Sequence, residues 1–124
     1  MKKAVVLIVL LVLVGCDGLI YRFNLKNTEE LTANDLNKRK EIIKNTLVTY
    51  SQCESQAIDK EKKPNTILNY QCRVEEGDYR GHLFVGVGLT KDNQIEIDLI
   101  DYPWQKRSKL SYEIEEKILS AISE

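Results

Sequence analysis

One histidine, three cysteines and a scatter of acids are the residues through which this 124-residue chain could do chemistry. His82 has no nucleophile motif near it, so no Ser-His-Asp arrangement can be built from the sequence. No Cys-x-x-Cys or His-x-x-x-His spacing suits zinc or redox work. Gly86-Val87-Gly88 lies inside an alternating strand pattern with no lysine and no helix after it, so it is no phosphate loop. A bulge or close packing explains those glycines better. Glu96, Asp98 and Asp101 read as an alternating, solvated strand face rather than a catalytic or metal-binding set. The expectation is a protein that is not an enzyme and carries no metal and no cofactor. That leaves Cys16, which could be a core thiol, half of a disulfide, a ligand or a point of attachment.

What precedes Cys16 decides among these. Met1, Lys2 and Lys3 lead into Ala4–Val14, eleven residues without a polar side-chain atom. As a helix that run spans about 16 Å, against a bilayer core of about 30 Å. It is too short for a comfortable permanent span and has the anatomy of a signal peptide: positive start, apolar middle, small residue at the end. Leu13-Val14-Gly15-Cys16 resembles the lipobox of bacterial lipoproteins, with Val14 standing where alanine or serine is commoner. The resemblance covers the first 16 residues only. It implies cleavage between Gly15 and Cys16, a diacylglyceryl group on the Cys16 thiol and acylation of the new amine. Several acyl chains at one site give stable membrane attachment where a single chain does not. Asp17 resembles the inner-membrane retention signal of enteric bacteria, which slightly favours that membrane. The alternatives are an ordinary secreted protein with an incidental cysteine, or an uncleaved N-terminal anchor. The expected organisation is a signal peptide over 1–15, a lipid-anchored N-terminus over 16–18 and one domain over 19–124, facing the periplasm.

With Cys16 given to lipid, the odd cysteine is explained. Cys53 and Cys72 remain in an exported chain, where a disulfide is favoured over two free thiols. Removing Lys2 and Lys3 takes eighteen basic residues to sixteen against nineteen acidic ones, a formal charge of −3. There is no basic stripe, so nucleic acid is not an expected partner. Lys60, Lys62 and Lys63 are mixed with acids before Pro64 and read as a solvated loop.

The elements that must position these residues are legible in the periodicity. Leu19, Tyr21, Phe23 and Leu25 alternate with polar neighbours as a strand, unless the stretch rests on the membrane. Residues 27–57 read as a helix starting near Thr32–Asp35, a capping pair, with Leu36, Ile43, Leu47 and Tyr50 on one face and Cys53 at its margin. Leu68, Tyr70, Cys72 and Val74 alternate as a strand, so a helix on that face would bring Cys53 to Cys72. A turn at 75–78 leads to a strand with Tyr79, Leu83, Val85, Val87 and Leu89 on one face. A loop at 90–94, with Asp92-Asn93 suited to positive φ, leads to Ile95, Ile97 and Leu99, and Pro103 stops that strand. A last helix, capped near Ser108 or Ser111, buries Ile114, Ile118, Ala121 and Ile122. The expected fold is α+β: a small antiparallel meander of three to four strands with two helices on one face, in the order β-α-β-β-β-α.

Aligning the last hairpin so that Thr90 faces Gln94 sets Phe84 opposite Ile100 and His82 opposite Tyr102, with Arg73 or Gln71 beside them and Trp104 near. The face turned away from the helices then carries an apolar patch with a polar rim, a mark of a partner or ligand site, and aromatic and arginine residues are typical anchors. Either residues 19–25 or residues 101–107 cover this patch, or it is open for binding. The functional expectation is a lipid-anchored envelope lipoprotein that holds a protein partner through Arg73, His82, Phe84, Ile100, Tyr102 and Trp104. An immunity or inhibitor protein is one form of this, and a binder of a small ligand or envelope polymer is the alternative.

Overall fold

The computed structural model describes residues 6–15, 18–27, 32–103 and 106–123. The chain runs β1 (Val6–Gly15), β2 (Gly18–Asn27), α1 (Ala33–Val48), β3 (Cys53–Ser55), β4 (Thr66–Glu76), β5 (Tyr79–Leu89), β6 (Ile95–Tyr102) and α2 (Lys109–Ser123). All strands lie in one sheet in the order β1-β2-β6-β5-β4-β3. Every neighbouring pair is antiparallel. From Gly18 onward this is a five-stranded sheet with two helices, an α+β domain. The three to four strands expected from the sequence therefore become five, joined in the full chain by β1 along the edge of β2.

Period-two alternation sorts the sheet into two faces. Leu19, Tyr21, Phe23 and Leu25 of β2, Leu68, Tyr70, Cys72 and Val74 of β4, Leu83, Val85 and Val87 of β5, and Ile95, Ile97 and Leu99 of β6 are all buried. Ile43 and Leu47 of α1 and Ile114 and Ile118 of α2 close over them in one cluster. Residues 19–25 are thus a strand of the sheet. Tyr79 shares the inward phase but lies beyond the core and is exposed.

Local chemistry sets the ends of the elements. Thr32 caps α1 through a reciprocal box with Asp35: the Asp35 amide donates to Thr32 Oγ1 at 3.1 Å, and the Thr32 amide donates to Asp35 Oδ2 at 3.2 Å. Asn93, at φ 60°, and Gly77, at φ 64°, supply the positive φ values of the two hairpin turns, as their residue types suggest.

The helix read over 27–57 is shorter, ending at Val48. Thr46 and Thr49 return their hydroxyls to the carbonyls of Ile42 and Thr46, a local competition that weakens helix continuation. The chain turns at Tyr50, whose carbonyl accepts from the Cys53 amide at 3.1 Å. Cys53 is therefore in β3, not on a helix, and it reaches Cys72 as its cross-strand partner.

A second correction concerns Asp101. It shares the inward phase of β6 rather than the solvated face of Glu96 and Asp98, and it is 1 % exposed. It accepts the Ser108 amide at 3.0 Å, while Ser108 Oγ caps Ser111 at 3.1 Å. Glu76 accepts the amides of Lys109 and Leu110 at 3.1 and 3.2 Å. Two carboxylates thus serve the donors that any helix N-terminus leaves unpaired. Burial raises the Asp101 pKa above the usual carboxylate range, outweighing the bonds from Ser108 that act to lower it.

Candidate functional site

The sheet face opposite the helices is built by the other phase of the same strands. β5 and β6 pair with Phe84 opposite Ile100 and His82 opposite Tyr102, the register that the alignment of Thr90 with Gln94 predicts. β4 sets Gln71 opposite Phe84 and Arg73 opposite His82. The structure therefore brings Arg73, His82, Phe84, Ile100 and Tyr102 together. Phe84 and Ile100 are half-buried, and Arg73, His82 and Tyr102 are exposed. The His82 and Phe84 rings lie 6.2 Å apart between centroids, tilted by 37°. Cys16 and Trp104 lie outside the described residues. Gly15 is the last residue of β1, opposite Gly18.

β2 extends the same face, so residues 19–25 widen the patch instead of covering it: Ile20 stands opposite Ile100 and Arg22 opposite Asp98. Arg22 makes a bidentate contact to Asp98, at 2.7 and 3.0 Å, with Glu96 at 3.7 Å. Those carboxylates are half of a cross-strand ion pair, which suits a structural surface. The ion pair was not read in the sequence because nothing there shows that β2 lies beside β6. On the other flank, Tyr102 and Pro103 border the patch, while Arg107 packs away from it onto Tyr21.

Two of the three hollows described on this face flank its aromatic patch. One, of about 470 Å³, is lined by Lys63, Asn65, Thr66, Asn69, Phe84, Gly86, Gly88, Glu96, Asp98 and Ile100. Its floor is low because Gly86 has no side chain, and a Cβ built there meets nothing within 4 Å. The other, of about 250 Å³, lies at the opposite end of the face between Arg73, Glu75, Arg80, His82, Tyr102 and Pro103. Lys63, Asn65, Asn69 and Arg80 are site residues that sequence reasoning missed: Lys63 and Asn65 lie in a loop, which carries no period, and Asn69 of β4 and Arg80 of β5 are polar residues of the kind any solvent-facing strand phase carries. A wider groove of about 650 Å³ between α1 and α2 is lined largely by Asn45, Thr46, Thr49 and Ser120 and brings no aromatic side chain.

Among the described residues, no group of three or more His, Cys, Asp or Glu is placed to hold a metal. Nor is any described helix long and apolar enough to cross a membrane. The bridge between Cys53 and Cys72 is formed. The chain matches no protein-family model and no curated protein.

Proposed function

We propose that this protein is a lipid-anchored lipoprotein of the bacterial envelope that binds a protein partner, without catalysis, through the helix-free face of its sheet. The observation that carries the reading is the run Ile20, Ile100 and Phe84 across three adjacent strands, beside a hollow floored by Gly86. An apolar patch rimmed by Arg73, His82 and Tyr102 has the composition of a contact surface, with aromatic and arginine anchors around apolar neighbours. An immunity or inhibitor protein that occludes an envelope enzyme is the specific form we favour. The anchor is Cys16, after cleavage behind Gly15, and the domain faces the periplasm with the inner membrane slightly favoured by Asp17. The second reading is a binder of a small anionic ligand or envelope polymer. The 250 Å³ hollow between Arg73, Arg80, His82 and Tyr102 supports it, because two guanidiniums border one concavity and arginine suits carboxylate and phosphate groups.

The face is tested by crosslinking capture from intact cells, with wild type beside Gly86→Leu and Phe84→Asp. Gly86→Leu fills the hollow from a position where a Cβ meets open space, so the fold is expected to survive it. One protein recovered with wild type and reduced at least ~10-fold with both variants fits loss of a hot spot, typically 2 kcal/mol or more. Equal recovery moves the site elsewhere. No partner with any form, together with Arg73→Ala-sensitive binding of an anionic glycan or phosphate probe, selects the second reading.

The anchor has its own test. Cys16→Ser is expected to accumulate as an unprocessed precursor without incorporated fatty-acid label. Normal processing of that variant would overturn the lipoprotein reading.

A further inference from the structure

We infer that the end of the fold nearest Cys16 rests on the membrane, with Tyr79, Tyr102 and Tyr112 seated at phospholipid headgroup level. The inference depends on the lipid anchor proposed above and adds an orientation and a contact surface to it.

Among the described residues, the large apolar and aromatic side chains that stand exposed are Val48, Tyr79, Tyr102 and Tyr112, at 57, 36, 46 and 57 %. The three tyrosines come from three different elements and share one end of the fold. Tyr79 opens β5, Tyr102 closes β6, and Tyr112 lies in the first turns of α2, whose N-terminus is tied to Glu76 and Asp101 at that same end. Tyr102 stands on the helix-free face, whereas Tyr79 shares the phase of the helix-covered one. The set therefore brackets the thickness of the domain.

Gly18 is at this end too. β2 is antiparallel to β6, and Leu19 pairs with Asp101. The Gly18 backbone is seated so closely that a Cβ would come within 2.1 Å of the Asp101 carbonyl oxygen. Only Asp17 separates Gly18 from Cys16. Two residues of extended chain reach about 7 Å at most. Acyl chains entering a bilayer from Cys16 must therefore hold this end against the surface; a lipoprotein with a long polar tether would leave its domain free to turn.

The tyrosines match that position. An aromatic ring with a polar tip is enriched where one end is apolar and the other wet, and membrane interfaces carry belts of such residues. Arg80 and Lys109 are exposed at the same end, but so are Glu75 and Asp78, so the aromatic contribution, not net charge, favours the contact. The strands then rise away from the bilayer. The helix-free face stands side-on to it, accessible to another envelope protein.

The test uses the full-length chain, processed in a bacterial host and reconstituted into vesicles of phosphatidylethanolamine with phosphatidylglycerol as the minority lipid. Water-exposed tyrosines are iodinated by lactoperoxidase, a probe too large to enter the headgroup layer, and mapped by peptide mass. Lys91→Tyr supplies a reference tyrosine in the exposed turn at the far end of the sheet. Labelling of Tyr79, Tyr102 and Tyr112 is expected to be at least ~10-fold below the reference, as burial at an interface requires. Labelling equal to the reference, on protein whose mass shows acylated Cys16, overturns the proposal and leaves the anchor standing. Protection of one tyrosine alone, or protection lost when the protein-to-lipid ratio is lowered, overturns it as well. An unacylated Cys16 removes the anchor reading itself.

Discussion

Replacing both Cys53 and Cys72 with alanine is expected to destabilise the domain by about 3 kcal/mol, the chain-entropy value for a loop of this length. The bridge closes 18 intervening residues, since the two positions are 19 apart. β3 has three residues and pairs with β4 through Cys53–Cys72, Glu54–Gln71 and Ser55–Tyr70. So short an edge strand has little side-chain burial of its own; Glu54 and Ser55 are exposed. The loss should therefore be local as well as global. Amide exchange is expected to accelerate first at residues 52–56 and at Arg73, whose amide donates to the Gln52 carbonyl at 2.9 Å. For a domain of this size the cost is a large share of total stability, typically 5–15 kcal/mol. Urea unfolding of the double variant against wild type measures it. A change below about 1 kcal/mol would mean that β3 and α1 are held by packing alone.

That bridge also shows where sequence reading reaches its limit. β2, β4, β5 and β6 each present three or more alternating apolar residues, so their buried faces are visible in the sequence. The turn residues then set the β5–β6 register, and with it the pairing of Phe84 with Ile100 and of His82 with Tyr102. β3 is too short to show a period, and Leu47, Tyr50 and Cys53 still sit at helical spacing. The periodicity therefore carries a helix on through Cys53 and brings it to Cys72 from a helix margin, whereas the fold pairs the two cysteines across adjacent strands. Strand adjacency is the other gap. Nothing local indicates that β2, separated from β6 by α1 and three strands, closes against it, so the ion pair of Arg22 with Asp98 and the contribution of Ile20 to the face became visible only in the fold. Asp101 follows from the same phase argument as Leu99, yet its carboxylate suggests solvent. The amide of Ser108 makes its burial tolerable.

Arg107→Ala should be the most damaging single substitution outside the aliphatic core, costing about 3 kcal/mol, because it breaks a buried ion pair from one side. Its side chain is 8 % exposed and that of Glu115 16 %. Arg107 Nη2 donates to Glu115 at 3.0 Å and Nε to Ser111 Oγ at 3.0 Å. The guanidinium plane lies 3.5 Å from the Tyr21 ring centroid and 4.0 Å from that of Tyr112. The Tyr21 hydroxyl donates to the other Glu115 oxygen at 2.6 Å. Removing the arginine leaves the Glu115 carboxylate largely out of water with a neutral phenol as its remaining partner here, and it uncovers the Tyr21 ring. Arg107→Lys keeps a charge but not the planar fork that serves Ser111 and Glu115 together while stacking, so about half the loss is expected. The network also predicts a base-sensitive fold. Burial, reinforced by Glu115, pushes the Tyr21 hydroxyl up to about 12, against Arg107, which lowers it. Between the ordinary tyrosine value near 10 and about 12 the native state holds a proton that the unfolded chain releases, so stability falls as pH rises through that window. Urea unfolding of wild type at about pH 9 and about pH 11.5 checks this, with a lower midpoint expected at the higher pH. Tyr112 gives the same arginine a second consequence. The guanidinium stacks on the Tyr112 ring at 4.0 Å, so Arg107→Ala should raise iodination of Tyr112 in the protein free of vesicles, where no headgroup layer shields it.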